Sequence, residues 1–100
     1  MDRLRDVLAR EIADYAGEML NGYAYLMVSE DRNVFTIVSI GKIKTGRVTH
    51  LSLLARIADN HIVIEIDDSN KPLVDTLVQA GIPRSQIILA YAGEPVPESM

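Results

Sequence analysis

The chain has 100 residues, 48% of them hydrophobic, with a formal charge of −4 from 14 acidic and 10 basic residues and no cysteine. That length supports one small domain with a core, and the lack of cysteine excludes disulfides, thiolate nucleophiles and cysteine-ligated metals. The negative balance argues against a general nucleic-acid binder, whose affinity comes from Lys and Arg neutralising phosphates.

Apolar residues at Leu4, Val7, Leu8, Ile12, Tyr15, Ala16 and Met19 recur at steps of three and four, which predicts a helix over residues 2–20 stopped by Asn21-Gly22. The opening MDRLRDVLAREI is a charged helix pattern with no apolar leader core, and no apolar run approaches the roughly 20 residues of a membrane span. A cytoplasmic chain without membrane association is therefore expected.

Tyr23 to Ser29 and Val34 to Ile40 are β-branched and aromatic runs on either side of the polar cluster Glu30-Asp31-Arg32-Asn33, which predicts a hairpin. Gly41 to Gly46 (GKIKTG) reads as a connecting loop and Arg47 to Ile57 as a longer strand, followed by a turn at Asp59-Asn60 and a strand to Asp67. A two-residue turn there pairs Ile57 with Ile62, Ala55 with Ile64 and Leu53 with Ile66 on an aliphatic face. Arg56 then faces Val63, Leu54 faces Glu65 and Ser52 faces Asp67 on a mixed face.

Asp68-Ser69-Asn70 offers N-caps and Pro72 suits a first helical turn, while Leu73, Val74, Leu77 and Val78 form the apolar stripe of a short helix ended by Gly81 and Pro83. Ile87 to Tyr91 is the last strand, and residues 93–100, with two prolines and no periodic apolar residues, read as a flexible tail after a single domain over 1–92. The fold class is α+β: an antiparallel sheet of about five strands, an N-terminal helix and a second helix before the last strand.

The chain contains no Gly-x-Ser-x-Gly, no Gly-rich strand-to-helix loop and no His-Glu-x-x-His, so no enzyme, cofactor or metal is expected. His50 falls near Ser69 and His61 at the other end of the hairpin, too far apart to share a metal. Glu65 and Asp67 project from one face of a strand beside Asp68, a pattern found in nuclease metal sites and, more commonly, on solvated sheet faces. Lys42, Lys44 and Arg47 form the one basic cluster, able to touch phosphates but equally suited to keeping a sheet edge soluble. Tyr23 and Tyr25 share a strand face with Met27, side chains enriched where proteins meet. With Leu54 and Val63 they make an outer face that is either open to a partner or covered by the N-terminal helix.

From about Leu51 to Tyr91 the chain also resembles a known family. Its marks are a long strand containing a His and ending in an Ala-Asp turn, then the alternating isoleucines running into Asp67. The most specific is Leu77-Val78-Gln79-Ala80-Gly81-Ile82-Pro83 followed by Gln86-Ile87-Ile88-Leu89. These resemble the XisI family, excision controlling factors of the fdxN element. The resemblance implies a small α+β protein acting with a companion, XisH, alongside a site-specific recombinase. XisH-type proteins resemble nuclease-fold proteins, so an inhibitor or antitoxin-like role is also implied. The expected function is a non-enzymatic protein-binding factor with an XisH-like partner, with self-association into a homodimer as an addition and nucleic acid engaged only indirectly. The expected contact residues are Tyr23, Tyr25, His50, Leu54, Arg84 and Tyr91, on the sheet face or around the final strand.

Overall fold

In a computed structural model, which describes residues 3–97, the chain forms α1 (Arg3–Ala13), β1 (Gly17–Met19), β2 (Gly22–Val28), β3 (Val34–Ile43), β4 (Gly46–Ala58), β5 (His61–Asp67), α2 (Leu73–Gln79) and β6 (Ile87–Leu89). The strands make one six-stranded sheet in the order β1-β2-β3-β4-β5-β6, antiparallel except that β6 runs parallel to β5. A parallel neighbour requires a crossover, and α2 supplies it. The class is α+β as expected, with one strand more.

The extra strand comes from the expected first helix, which ends at Ala13 rather than near residue 20. Asp14, Tyr15 and Ala16 tighten the last turn with bonds to carbonyls three residues back. Gly17 then takes φ 130°, and Glu18 and Met19 pair with Tyr23 and Gly22. Tyr15 and Ala16 still pack against the core, which is why they mimic a longer helical stripe. The tightness of this corner explains Gly22: a Cβ there would meet the Ile40 carbonyl oxygen at 2.0 Å.

Both helices cover one face of the sheet. Leu4, Val7, Leu8 and Ile12 of α1 and Leu73 and Leu77 of α2 close over Ala24, Phe35, Ile37, Leu53, Ala55, Ile62, Ile64 and Ile87. In α2, Val78 belongs to the expected buried stripe but is exposed, because only the Leu73–Leu77 edge reaches the sheet.

The β4–β5 turn is the two-residue type expected, with Asp59 and Asn60 at φ 50° and 61°. The register holds from Ala58–His61 to Ala55–Ile64, then slips by one at a β-bulge, so that Leu54 faces Ile66 and Leu53 faces Asp67. The expected pairs Leu54–Glu65, Leu53–Ile66 and Ser52–Asp67 are thereby corrected. The bulge carries Asp67 to the helix-covered face, where it caps α2: Oδ2 accepts from the Leu73 amide (2.7 Å) and Oδ1 from the amide and hydroxyl of Ser69 (2.9 and 2.6 Å). The cap comes from Asp67, not from the expected Asp68-Ser69-Asn70 segment.

Two further segments differ from expectation. GKIKTG is no loop: β3 and β4 extend through it, with Lys42 opposite Arg47 and Ile43 opposite Gly46, leaving only Lys44-Thr45 to turn. In the stretch expected to be a tail, Glu94 is tied down, its carboxylate accepting from the Leu89 amide and the Arg84 guanidinium, both at 2.8 Å. Residues 98–100 of that expected tail lie outside the described residues.

Candidate protein-interaction surface

Alternation along β2 sends Ala24 and Leu26 toward the helices and Tyr23, Tyr25 and Met27 to the opposite face. Neither helix reaches that face: Tyr23, Tyr25 and Met27 are 42%, 47% and 58% exposed. The tyrosine rings lie 4.8 Å apart, tilted by 45°. Across the sheet the same face continues in rows. Tyr23 faces Ile40 and then Thr49, Tyr25 faces Val38 and then Leu51, and Met27 faces Thr36, Leu54 and Ile66.

Charge bounds these rows at both ends. The Arg56 guanidinium donates to Glu65 at 2.8 Å beside Leu54, and Lys42 and Arg47 oppose each other beyond Ile40. An apolar and aromatic centre inside a charged rim is the anatomy of a protein–protein contact surface. Val63 belongs to this outer side by alternation yet is fully buried, between Arg56 on β4 and Ile88 on β6. It therefore adds nothing to the exposed patch.

Of the expected contact residues, the structure brings together Tyr23, Tyr25 and Leu54. His50 points from the helix-covered side, where its Nε2 lies 3.0 Å from Asp68 Oδ2. There it lines an apolar trough of about 440 Å³ with Met19, Leu20, Ile43 and Val48. Arg84 is a clasp, donating to the Ile87 carbonyl (2.6 Å) and to Glu94 (2.8 Å). Tyr91, 47% exposed, stands apart near Asp67 and Asp75, with its phenol pushed up chiefly by burial and then by those two negative charges. Val38, Ile40, Leu51 and Ile66 were missed as patch members. The alternation of Thr36, Val38 and Ile40 signalled the first two, but a bulge on β4 between its pairs with Ile37 and Val38 hides Leu51 from a simple count.

The expected carboxylate group dissolves. Glu65 binds Arg56, Asp67 spends both oxygens on the α2 cap, and Asp68 meets His50. The bulge places Glu65 and Asp67 on opposite faces, correcting the expectation that they share one. Among the described residues no three His, Asp or Glu side chains are grouped to hold a metal.

A family model described as XisI protein matches residues 2–98. Among solved structures, the chain is similar to the fdxN element excision controlling factor XisI from Anabaena variabilis. The two share 27% identity at a TM-score of 0.68, with 88% of each chain covered. It is also similar in fold to a XisI-like protein from the same organism, at 20% identity and a TM-score of 0.66, with 86% of this chain and 78% of the other covered. No curated protein matches the chain.

Proposed function

The chain belongs to the XisI family, and on that premise we propose that it is a non-enzymatic binding factor that engages an XisH-like, nuclease-fold protein in the control of DNA-element excision, or as that protein's inhibitor. The observation that supports this reading is the uncovered outer face, where Tyr23, Tyr25 and Met27 stand exposed in a row beside Val38, Ile40 and Leu51. Contiguous apolar faces of this kind on a small domain serve as contact surfaces. The similarity to a protein described as an excision controlling factor supplies the process in which the contact would act. The partner is a protein rather than DNA because the rim carries few cations and the centre carries rings and aliphatic side chains.

Light scattering of the chain mixed with the XisH-like protein tests this, with the Tyr25→Asp, Leu54→Asp double variant as the comparison. A complex with the native chain that the folded double variant fails to form is the expected result. Equal binding by the two rules out this face, and no complex with the native chain rules out the partner.

A further inference from the structure

The β3–β4 hairpin ends in a row that folding alone does not explain. Lys42 stands directly opposite Arg47, and both are exposed. The Lys42 amide donates to the Asn21 carbonyl (2.8 Å), away from β4, so the two form a non-hydrogen-bonded pair, the kind that brings cross-strand side chains closest. Like charges directly opposite one another destabilise a sheet. Among the described residues, neither cation meets a carboxylate, whereas at the other end of the same face Arg56 is answered by Glu65 at 2.8 Å.

The row belongs to the outer face. Lys42 follows Ile40 and Arg47 precedes Thr49 by two residues, so alternation sets them beside the Tyr23–Ile40–Thr49 row, on the side turned away from both helices. The face is therefore polarised along its strands. A neutralised pair lies at the Arg56 end, rings and aliphatic side chains in the middle, and two uncompensated positive charges at the hairpin end. A surface laid over the middle covers that end too, and desolvating cations without counter-charge is costly.

We propose that the partner seated on the outer face presents acidic side chains to Lys42 and Arg47, and that this contact fixes which way round the partner sits. The proposal rests on the binding reading given above and names the chemistry of its partner. A guanidinium and an ammonium side by side suit two carboxylates, one of them held bidentate by Arg47. An acidic protein surface fits better than a nucleic-acid backbone, because the cations occupy one end of the face rather than a track across it. Glu18, opposite Tyr23 on the same side, also repels a phosphate chain that continues past them.

Stopped-flow and equilibrium binding of the full chain to the XisH-like protein test this. Lys42→Glu with Arg47→Glu keeps the like-charge repulsion within the hairpin and inverts only its sign, so the urea midpoint should not move. Association should slow about tenfold at low salt, and the gap should close as salt rises. Arg47→Thr removes the repulsion and should raise the urea midpoint while weakening the complex, which a purely structural role for Arg47 would not do. A charge-reversed chain that binds like the native one overturns the proposal; the outer-face reading then stands or falls by Tyr25→Asp, Leu54→Asp alone. A native chain that binds no XisH-like protein overturns both. Salt-sensitive binding of duplex DNA by the native chain, lost on charge reversal, assigns the cations to phosphates and also overturns the acidic contact. If the charge-reversed chain does not fold, Lys42→Gln with Arg47→Gln decides by the same rate and salt readouts.

Discussion

The two faces of this one sheet carry similar aliphatic side chains and meet different fates. On the helix-covered face Leu53, Ile64 and Phe35 are sealed beneath α1 and α2, whereas on the other face Val38, Ile40 and Leu51 sit beside two exposed tyrosines. Hydrophobic burial scales with the area removed from water, so the first set supports folding and the second does so only in part. The difference lies in which face the helices reach, and the side chains left over are available for association.

Truncation on the two faces should show the gap at its widest. Leu53→Ala, at a fully buried site against the helices, should destabilise the chain by about 2–5 kcal/mol in urea unfolding. Val38→Ala, on the half-buried outer face, should cost under about 1 kcal/mol. Equal losses would mean that the outer face is covered in solution and would break the comparison.

The carboxylates divide by face in the same way. Asp67, turned inward by the bulge, bonds the first amide of α2, and Asp67→Ala should cost about 1–2 kcal/mol in the same unfolding measurement. Glu65→Gln, which breaks an ion pair at the rim, should stay within about 0.5 kcal/mol of the native chain. A reversal of that order would undo the assignment of Asp67 as the cap.

How much of this was legible in the sequence follows local rules and their interruptions. Periodicity identified the two helices, the hairpins and the Asp59-Asn60 turn, because each is set by neighbours in sequence. It misplaced the end of α1, since Tyr15, Ala16 and Met19 keep helical spacing while Gly17 at φ 130° starts a strand. It also misread GKIKTG as a loop because lysines and glycines in an extended arm look like turn residues. The two bulges were invisible to alternation, and they decide which face Asp67 and Leu51 occupy. Tyr23, Tyr25 and Leu54 came together as expected because they lie on unbroken stretches. His50, Arg84 and Tyr91 scattered because tertiary contacts, not strand period, place them.

Within the exposed face the tyrosine pair should contribute a smaller amount than the α2 cap. A double-mutant cycle on Tyr23→Thr and Tyr25→Thr, read by urea unfolding, should give a coupling of about 0.5 kcal/mol, the low end for aromatic pairs, because water reaches both rings. A coupling well above that would mean that the rings are packed as tightly as core residues, and the face would lose its claim to be open.

The smallest effect belongs to the clasp after β6. The Glu94 carboxyl is held below its ordinary value first by the Leu89 amide and then by the Arg84 guanidinium. A lowered folded-state pKa means that its stabilisation is complete above the ordinary value of 4.5 and is lost as pH falls through the lower folded value. Melting temperatures measured from neutral pH down through that window should therefore fall more in the native chain than in Glu94→Gln, which cannot titrate. Asp31, lowered mainly by the Ser29 hydroxyl, adds acid sensitivity of the same sign to both chains, so only the difference between them reports the clasp. Identical acid profiles would show that Arg84 and Glu94 do not hold the segment after β6 in solution.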